Sequence, residues 1–370
     1  MHLKSRLSSR ILWLSLVLTG LCSVVWLSTF HPKASQIEQV HCQADAPLLQ
    51  AGQTIKLYNQ NVQFMAGKNY VFFYDLANNK GPDERPSPTD IQATLKGLAS
   101  LIQQQDPDII LLQEVDDGAK RSDYADQLMQ LLALLSNDYA CHASSIYWQA
   151  SYLPHPRIMG AVGMKLSIIS KYKISTAKRF QLALLPQDPI SQLFNFKRAM
   201  LDVRLPVSGG SELAVLTTHL SAFAKGSDTL RQQVQQIDQQ LQSLEQAQTP
   251  WVIGGDFNLL PPDSYYLLAE QQRDPHDVES AIKTLYEHYP AIPSYQQIQV
   301  AQRSNWFSYY PNDPRVTAAD RTIDYYFYSP KLSLQHAFIE QRLSSTLSDH
   351  LPIIASFSLP KPRDIDSRLQ

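Results

Sequence analysis

Cysteine is scarce in this sequence: 370 residues contain only Cys22, Cys42 and Cys141. Their spacing matches no zinc-binding pattern, which excludes a cysteine-based metal site. Cys22 falls within an apolar run. Only Cys42 and Cys141 remain for a disulfide, and an even count leaves pairing and two separate thiols equally open. A basic excess is also lacking, with 32 Lys plus Arg against 34 Asp plus Glu and a formal net charge of -2. Proteins that grip long nucleic acid through many phosphates usually carry surplus positive charge, so composition weighs against that partner class. A local basic groove is still allowed, and net charge says nothing about fold. There is no internal period and no low-complexity tract, which removes repeat architectures. Apolar runs such as Leu128 to Leu135 are too short to cross a bilayer.

One run is long enough. Ile11 to Phe30 carries no charged side chain and follows Lys4, Arg6 and Arg10. At about 1.5 Å per residue it spans roughly 30 Å, the thickness of a hydrocarbon core. It is longer than a typical cleavable apolar region, and no small-x-small cleavage site stands directly after it. A retained membrane anchor is the reading, with a secreted form if cleavage occurs near Ala34 and Ser35. Leu21 stands where a small residue would precede a lipid-modified cysteine, which argues against a lipoprotein. Basic residues on the short side keep that end in the cytoplasm and the main domain extracytoplasmic. The expected divisions are a basic segment 1–10, an anchor 11–30, a polar connector 31–52, one domain 53–360 and a polar tail 361–370.

The remainder is globular in composition, with 44% hydrophobic and 18% charged residues. Strand-like and helix-like patterns alternate. Ile55 to Val62 reads as a strand. After Thr89, a candidate N-cap, Ile91, Leu95, Leu98, Leu101 and Ile102 share one helical face until Asp106-Pro107 stops it. Asp108 to Gln113 is a nearly continuous apolar strand. A helix is expected over Asp123 to Leu135, and an amphipathic one over Ser227 to Gln246. Further strands are read at Met159 to Ser170, Ala199 to Leu205, Leu213 to His219, Trp251 to Gly255, Ile323 to Tyr328 and Ile353 to Leu359. Residues 261–315, rich in Pro, Tyr and Gln, read as loops. The class is a mixed α/β domain.

Polar groups interrupt these apolar strands repeatedly. Asn61 ends the first; Glu114 follows Ile109 to Gln113; His219 follows Leu213 to Thr218; Asp256 and Asn258 follow Trp251 to Gly255. Asp324 lies within Thr322 to Tyr325, and Asp349 and His350 precede Leu351 to Ile354. A carboxylate beside a buried strand is costly unless it is paired or binds a cation. One such residue would be an ordinary turn or cap. Their recurrence, mixed with Asn and His, makes one shared polar site the economical reading. His142, His155, His276, His288 and His336 have no such neighbours and read as ordinary histidines.

The set resembles the endonuclease/exonuclease/phosphatase superfamily of Mg²⁺-dependent phosphoesterases, which includes DNase I-like nucleases, neutral sphingomyelinases and inositol polyphosphate phosphatases. The carrying stretches are Asn61-Val62, Leu112-Gln113-Glu114-Val115, Thr218-His219-Leu220, Gly255-Asp256-Phe257-Asn258, Ile323-Asp324-Tyr325 and Ser348-Asp349-His350-Leu351-Pro352, in the family's order from about 53 to 360. The resemblance implies a four-layer α/β sandwich of two mixed sheets flanked by helices. It implies Glu114 as principal Mg²⁺ ligand (Mn²⁺ substituting), with Asn61 and Asp349 as further or water-mediated ligands. His350 becomes the general base, oriented by Asp324. Asp256 positions or deprotonates water, Asn258 bonds phosphoryl oxygens, and His219 steadies phosphate or assists the leaving group. Arg198 is a phosphate contact or a surface ion pair.

The substrate is much less legible. The inositol phosphatase stretch is replaced by Ala318-Ala319-Asp320-Arg321-Thr322, and Val115-Asp116 follows Glu114 where abasic-site endonucleases have Thr-Lys. The Gln-Glu-Val form is closer to sphingomyelinase-type hydrolases. The leading expectation is a membrane-associated phosphodiesterase acting on a phospholipid head group, with Tyr70 to Tyr74 and Trp306 to Tyr310 either bordering an interfacial cleft or packing in the core. An extracytoplasmic nuclease on DNA or RNA is the alternative, and a non-catalytic binding module the third. No protein partner is implied.

Overall fold

The computed structural model describes residues 2–76 and 80–361; most of the tail expected over 361–370 lies outside the described residues. The strands are β1 (Ser35–Glu38), β2 (Val40–Cys42), β3 (Thr54–Asn61), β4 (Ile109–Asp116), β5 (Cys141–Leu153), β6 (Gly160–Ser170), β7 (Thr176–Gln181), β8 (Ala199–Val207), β9 (Ser211–His219), β10 (Trp251–Asp256), β11 (Ala291–Ile292), β12 (Asp324–Tyr328), β13 (Ser333–Ile339) and β14 (Ile353–Ser358). The helices are α1 (His2–Ser28), α2 (Pro88–Gln105), α3 (Gln127–Leu132), α4 (Pro189–Phe194), α5 (Thr229–Gln246), α6 (Lys283–His288) and α7 (Tyr295–Gln299).

Alternation within the strands builds the layers. In β4, Ile109 and Leu111 face one core while Ile110 and Leu112 face another. In β10, Val252 faces the first core, and Trp251 and Ile253 face a third. A strand buried on both faces must read as continuous apolar sequence, and these do. The strands form two seven-stranded sheets, ordered β1-β7-β8-β9-β10-β12-β11 and β13-β14-β3-β4-β6-β5-β2. Between them lies the core containing Leu57, Leu111, Val203, Val215, Val252 and Phe357. Leu230, Val234, Ile237, Leu241 and Leu244 of α5 cover the outside of the first sheet. Ile91, Leu95, Leu98 and Ile102 of α2 cover the second. The result is a four-layer α/β sandwich of two mixed sheets flanked by helices, as expected.

Each sheet has a parallel pair at its middle, β9 with β10 and β3 with β4. A parallel neighbour requires a crossover, supplied by α5 and α2. The carboxyl ends of both parallel pairs lie at one edge, the usual place for a site in sheets of this kind.

Several expectations are corrected. The α2 cap is Ser87, whose Oγ accepts from the Asp90 amide; Pro88, lacking an N–H, takes the first turn. The helix over Asp123 to Leu135 shortens to α3, because Asp123 and Tyr124 have φ of 53° and 61°, outside the helical region. Segment 31–52 contains β1 and β2, which join opposite sheets. Cys42 and Cys141 face each other across β2 and β5 and form a disulfide closing a separation of 99 residues. Such a link is typical of oxidising compartments and stabilises by about 4–5 kcal/mol in the chain-entropy account. Among the described residues, α1 is long and apolar enough to cross a membrane over Arg10–Ser28.

Candidate active site

Strand register assembles half of the site directly. Asp256, the last residue of β10, is paired with His219 of β9 on one side and Asp324 of β12 on the other. Close approach of β9 requires Gly255: a Cβ there would meet the Thr218 carbonyl oxygen at 2.2 Å. From the other sheet come Asn61 at the end of β3, Glu114 near the end of β4, and Asp349 and His350 just before β14.

Glu114 is placed by an irregularity. The β4–β6 register shifts between Leu112 and Val115, a bulge, and Glu114 adopts φ 56°. This left-handed conformation is costly for a glutamate and is kept where the surroundings over-determine it. Here the Glu114 amide donates to the Tyr147 hydroxyl at 3.2 Å. Beyond it, buried Asp116 accepts two bonds from Arg121 and fixes the following turn.

The side chains interlock. Asn61 Nδ2 donates to Glu114 Oε1 at 3.1 Å and to Asp256 Oδ2 at 3.0 Å, holding two carboxylates from opposite sheets together. Its oxygen accepts the Gln63 amide. The amide nitrogen, then, is the atom that faces Glu114. His219 Nε2 lies 3.3 Å from Asp256 Oδ2, and its Nδ1 lies 3.2 Å from the Tyr147 hydroxyl. Burial and the Arg198 charge hold His219 well below its ordinary range, so it is neutral. Tyr147 accepts from Glu114, so its own proton goes to Nδ1 and the His219 proton resides on Nε2, toward Asp256.

His350 Nδ1 donates to Asp324 Oδ2 at 2.9 Å, and its Nε2 lies 3.6 Å from Asp256 Oδ2. Asp324 is steadied by the Ser308 hydroxyl at 2.7 Å. Burial lowers the affinity of His350 for a proton, but Asp324, Asp256 and Asp349 outweigh it and push its pKa up to about 10. Asp256, buried and near Asp324, is raised to about 7. Glu114 is raised by burial and by Asp349, and Asp349 is itself raised by burial. Asp256, Asp324 and His350 offer ligand atoms within 4.8 Å of one another, close enough to hold a metal ion.

The two remaining candidates differ in standing. Asn258, at φ 52°, gives its Nδ2 to the Leu220 carbonyl and its backbone N–H to Asp256 Oδ1, bracing the loop behind Asp256. Arg198 is no surface ion pair. It is buried, its guanidinium lies over Phe196 and Tyr147, and its Nη1 has no partner among the described residues. Burial lowers its pKa, against the opposing charges of Tyr147, Glu114 and Asp256.

Several participants carry no distinguishing signal in the sequence. Tyr147 lies on β5, whose small and polar inward residues hide its strand character. Ser308 comes from the loop-rich region, where its hydroxyl resembles any other. Asp75 accepts from the Phe72 amide and Asn312 Nδ2, and burial together with Asp349 pushes it up to about 7. Lys68, donating to Tyr310, Pro311 and Asn312, ties the 66–75 segment beside it. Nothing in sequence distinguishes Asp75 from a turn aspartate. Of the aromatic stretches, Tyr70, Phe72 and Tyr74 stack, and the Tyr309 ring lies 4.8 Å from that of His350. The other histidines stand apart from this cluster; His288, for example, pairs with Asp238, and His142 stacks on His41.

A row of His and Asp on one sheet, facing Asn, Glu, Asp and His from the other at the edge of a two-sheet sandwich, defines a DNase I-like protein. The chain belongs to the endonuclease/exonuclease/phosphatase family, whose profile matches residues 59–350. Members are phosphoester hydrolases and generally depend on a divalent metal. The fold is similar to that of an endonuclease/exonuclease/phosphatase from Beutenbergia cavernae, 19% identical, covering 83% of this chain and 72% of that one with a TM-score of 0.54. It is also similar to proteins of the same family from Bacteroides vulgatus (16% identity, 83% and 99% covered, TM-score 0.51) and Leptotrichia buccalis (14%, 82% and 99%, 0.51). No curated protein matches the sequence significantly.

Proposed function

We propose that this chain is a divalent-metal-dependent phosphodiesterase, anchored at a membrane through α1 with its domain on the extracytoplasmic side, and acting on a lipid head group. The observation carrying the chemistry is His350 held against Asp324 and Asp256 of the facing sheet, with Glu114 and Asp349 on its own side. The donor chemistry fits a hard cation: carboxylate oxygens, each pushed upward by burial or by a neighbouring carboxylate, await a positive charge. Mg²⁺, or Mn²⁺ in its place, would be held by Glu114 and Asp349, with Asn61 bracing Glu114. When bound it neutralises charge on non-bridging phosphate oxygens.

The chain's own groups do the rest. Asp256 orients water at the phosphorus. His350 moves a proton at Nε2, its ring fixed by the Nδ1–Asp324 bond. Neutral His219 donates from Nε2 toward an oxygen of the phosphate or leaving group. Arg198, buried and with its Nη1 unpartnered among the described residues, offers a charge-assisted bond to a phosphate. Asn258 contributes by holding the Asp256 loop.

The α1 helix, the disulfide and the even charge balance favour a membrane-surface substrate over bulk nucleic acid. The test is a Mg²⁺-supplemented assay of the full chain against phospholipid and sphingomyelin vesicles, inositol phosphates, DNA and RNA. Head-group release is the expected result. Activity confined to nucleic acid, with a steep salt dependence, would replace the lipid reading by a nuclease. No activity on any phosphoester would leave a binding module.

A further inference from the structure

The anchor joins the domain at the same edge as the site. Only a few residues separate the end of α1 at Ser28 from the start of β1 at Ser35, and they are pinned. Thr29 forms a β-bridge with Ala150 of β5 and returns its hydroxyl to the Val25 carbonyl of α1. His31 stacks on Trp26 with centroids 3.6 Å apart, and the Ala34 carbonyl accepts the Gln181 amide at the end of β7. This is a joint rather than a tether.

Strand direction tells which edge the joint occupies. Ser35 pairs with Phe180, Phe180 with Met200 and Met200 with Thr218, the neighbour of His219. Three strand spacings amount to about 15 Å. On the other sheet, Ala150 pairs with Val162 beyond the level at which β6 leaves Asp116 of β4, so β5 and β6 extend as an arm past Glu114. The tip of this arm exposes Tyr152 and Met159, 47% and 49% accessible, with Pro154 and Pro156 between them. Two other connections leaving this edge expose Ile190 and, at φ 54°, Phe223.

We propose that the catalytic edge rests against the bilayer that α1 enters, with the β5–β6 tip in the interfacial layer, so that the site takes its phosphoester from a lipid head group at that surface. This rests on the anchor and phosphodiesterase readings above. Amphipathic and thioether side chains beside the exit of an apolar helix suit the head-group boundary, and a joint without slack fixes which face meets it.

The test uses the full chain with Cys22→Ala, carrying an environment-sensitive dye on Met159→Cys or on Ser208→Cys in the β8–β9 turn at the opposite edge. Both are placed in phosphatidylcholine vesicles containing some phosphatidylglycerol and a head-group spin-labelled lipid. Quenching several-fold stronger at 159 than at 208 is expected; equal quenching, or stronger at 208, overturns the docking. A Tyr152→Ser/Met159→Ser variant should lose about tenfold in hydrolysis of vesicle lipid while keeping its rate on soluble bis(p-nitrophenyl) phosphate. Equal loss on both substrates, or no loss on vesicles, counts against it. Strong quenching at 159 in a chain that cleaves only nucleic acid would sink the lipid-substrate reading and leave the docking geometry standing.

Discussion

At the scale of single residues, the site depends on buried charges that would be untenable apart. Asn61 keeps Glu114 and Asp256 from opposing each other bare, and Asp324 keeps His350 oriented. His350→Ala should lower turnover by about 10²–10⁴ with little change in KM, because proton movement belongs to the transition state. Steady-state kinetics check this, and an unchanged turnover number rejects the role. Asp324→Asn removes the first of the carboxylates that raise His350. Its ring, followed by NMR through a pH titration of the metal-free protein, should then titrate below about 10. An unmoved titration would mean that Asp256 and Asp349 alone set it.

At the scale of elements, the two crossovers β3–α2–β4 and β9–α5–β10 bring the site residues to one edge. Gly255→Ala would drive a Cβ into Thr218 backbone that has no rotamer to yield. A loss of about 1–3 kcal/mol in denaturant unfolding is expected; a stability equal to the parent would show that the strands separate more easily than their register suggests. The strands read correctly from sequence are those that build the buried centre. Ile109 to Leu112 and Trp251 to Ile253 are apolar on both faces, and the polar residues ending them stand out for that reason. Strands toward the sheet margins carry no such contrast. In β5, Cys141, Ala143 and Ser145 are buried but small or polar, which masks the strand that carries Tyr147. Likewise β1 and β13 are partly exposed and resemble loop sequence. Asp75 and Ser308 owe their place to tertiary packing of loops, to which local sequence is blind. The positive φ of Glu114 belongs to the bulge, and glutamate gives no hint of it.

At the scale of the whole molecule, the accumulated charge links stability to pH and to cation binding. Asp75 and Asp256 have folded-state values raised to about 7, above their unfolded range, and Glu114 and Asp349 shift in the same direction. A raised carboxylate stabilises the fold while protonated, and that stability is lost as pH rises from about 4 through its folded value. His350 has the same sign: its contribution is complete below about 6.5 and fades as pH climbs through about 10. These groups predict that chelated protein melts at a higher temperature near pH 6 than near pH 8. Mg²⁺ or Mn²⁺ should raise the melting point most at the higher pH, and by thermal shift a cation at about 100 times its Kd adds about 2.7 kcal/mol. A melting point indifferent to both ions across that range would remove the cation from the account.

The measurement that bears most directly on the centre of this account is hydrolysis of a phosphodiester by protein stripped with a chelator and then given Mg²⁺, compared between the parent and Glu114→Gln. The parent should fall silent on stripping and recover with the ion, while Glu114→Gln should remain silent yet fold normally. Full activity in the stripped parent, or restored activity in Glu114→Gln, would contradict the assignment of the site.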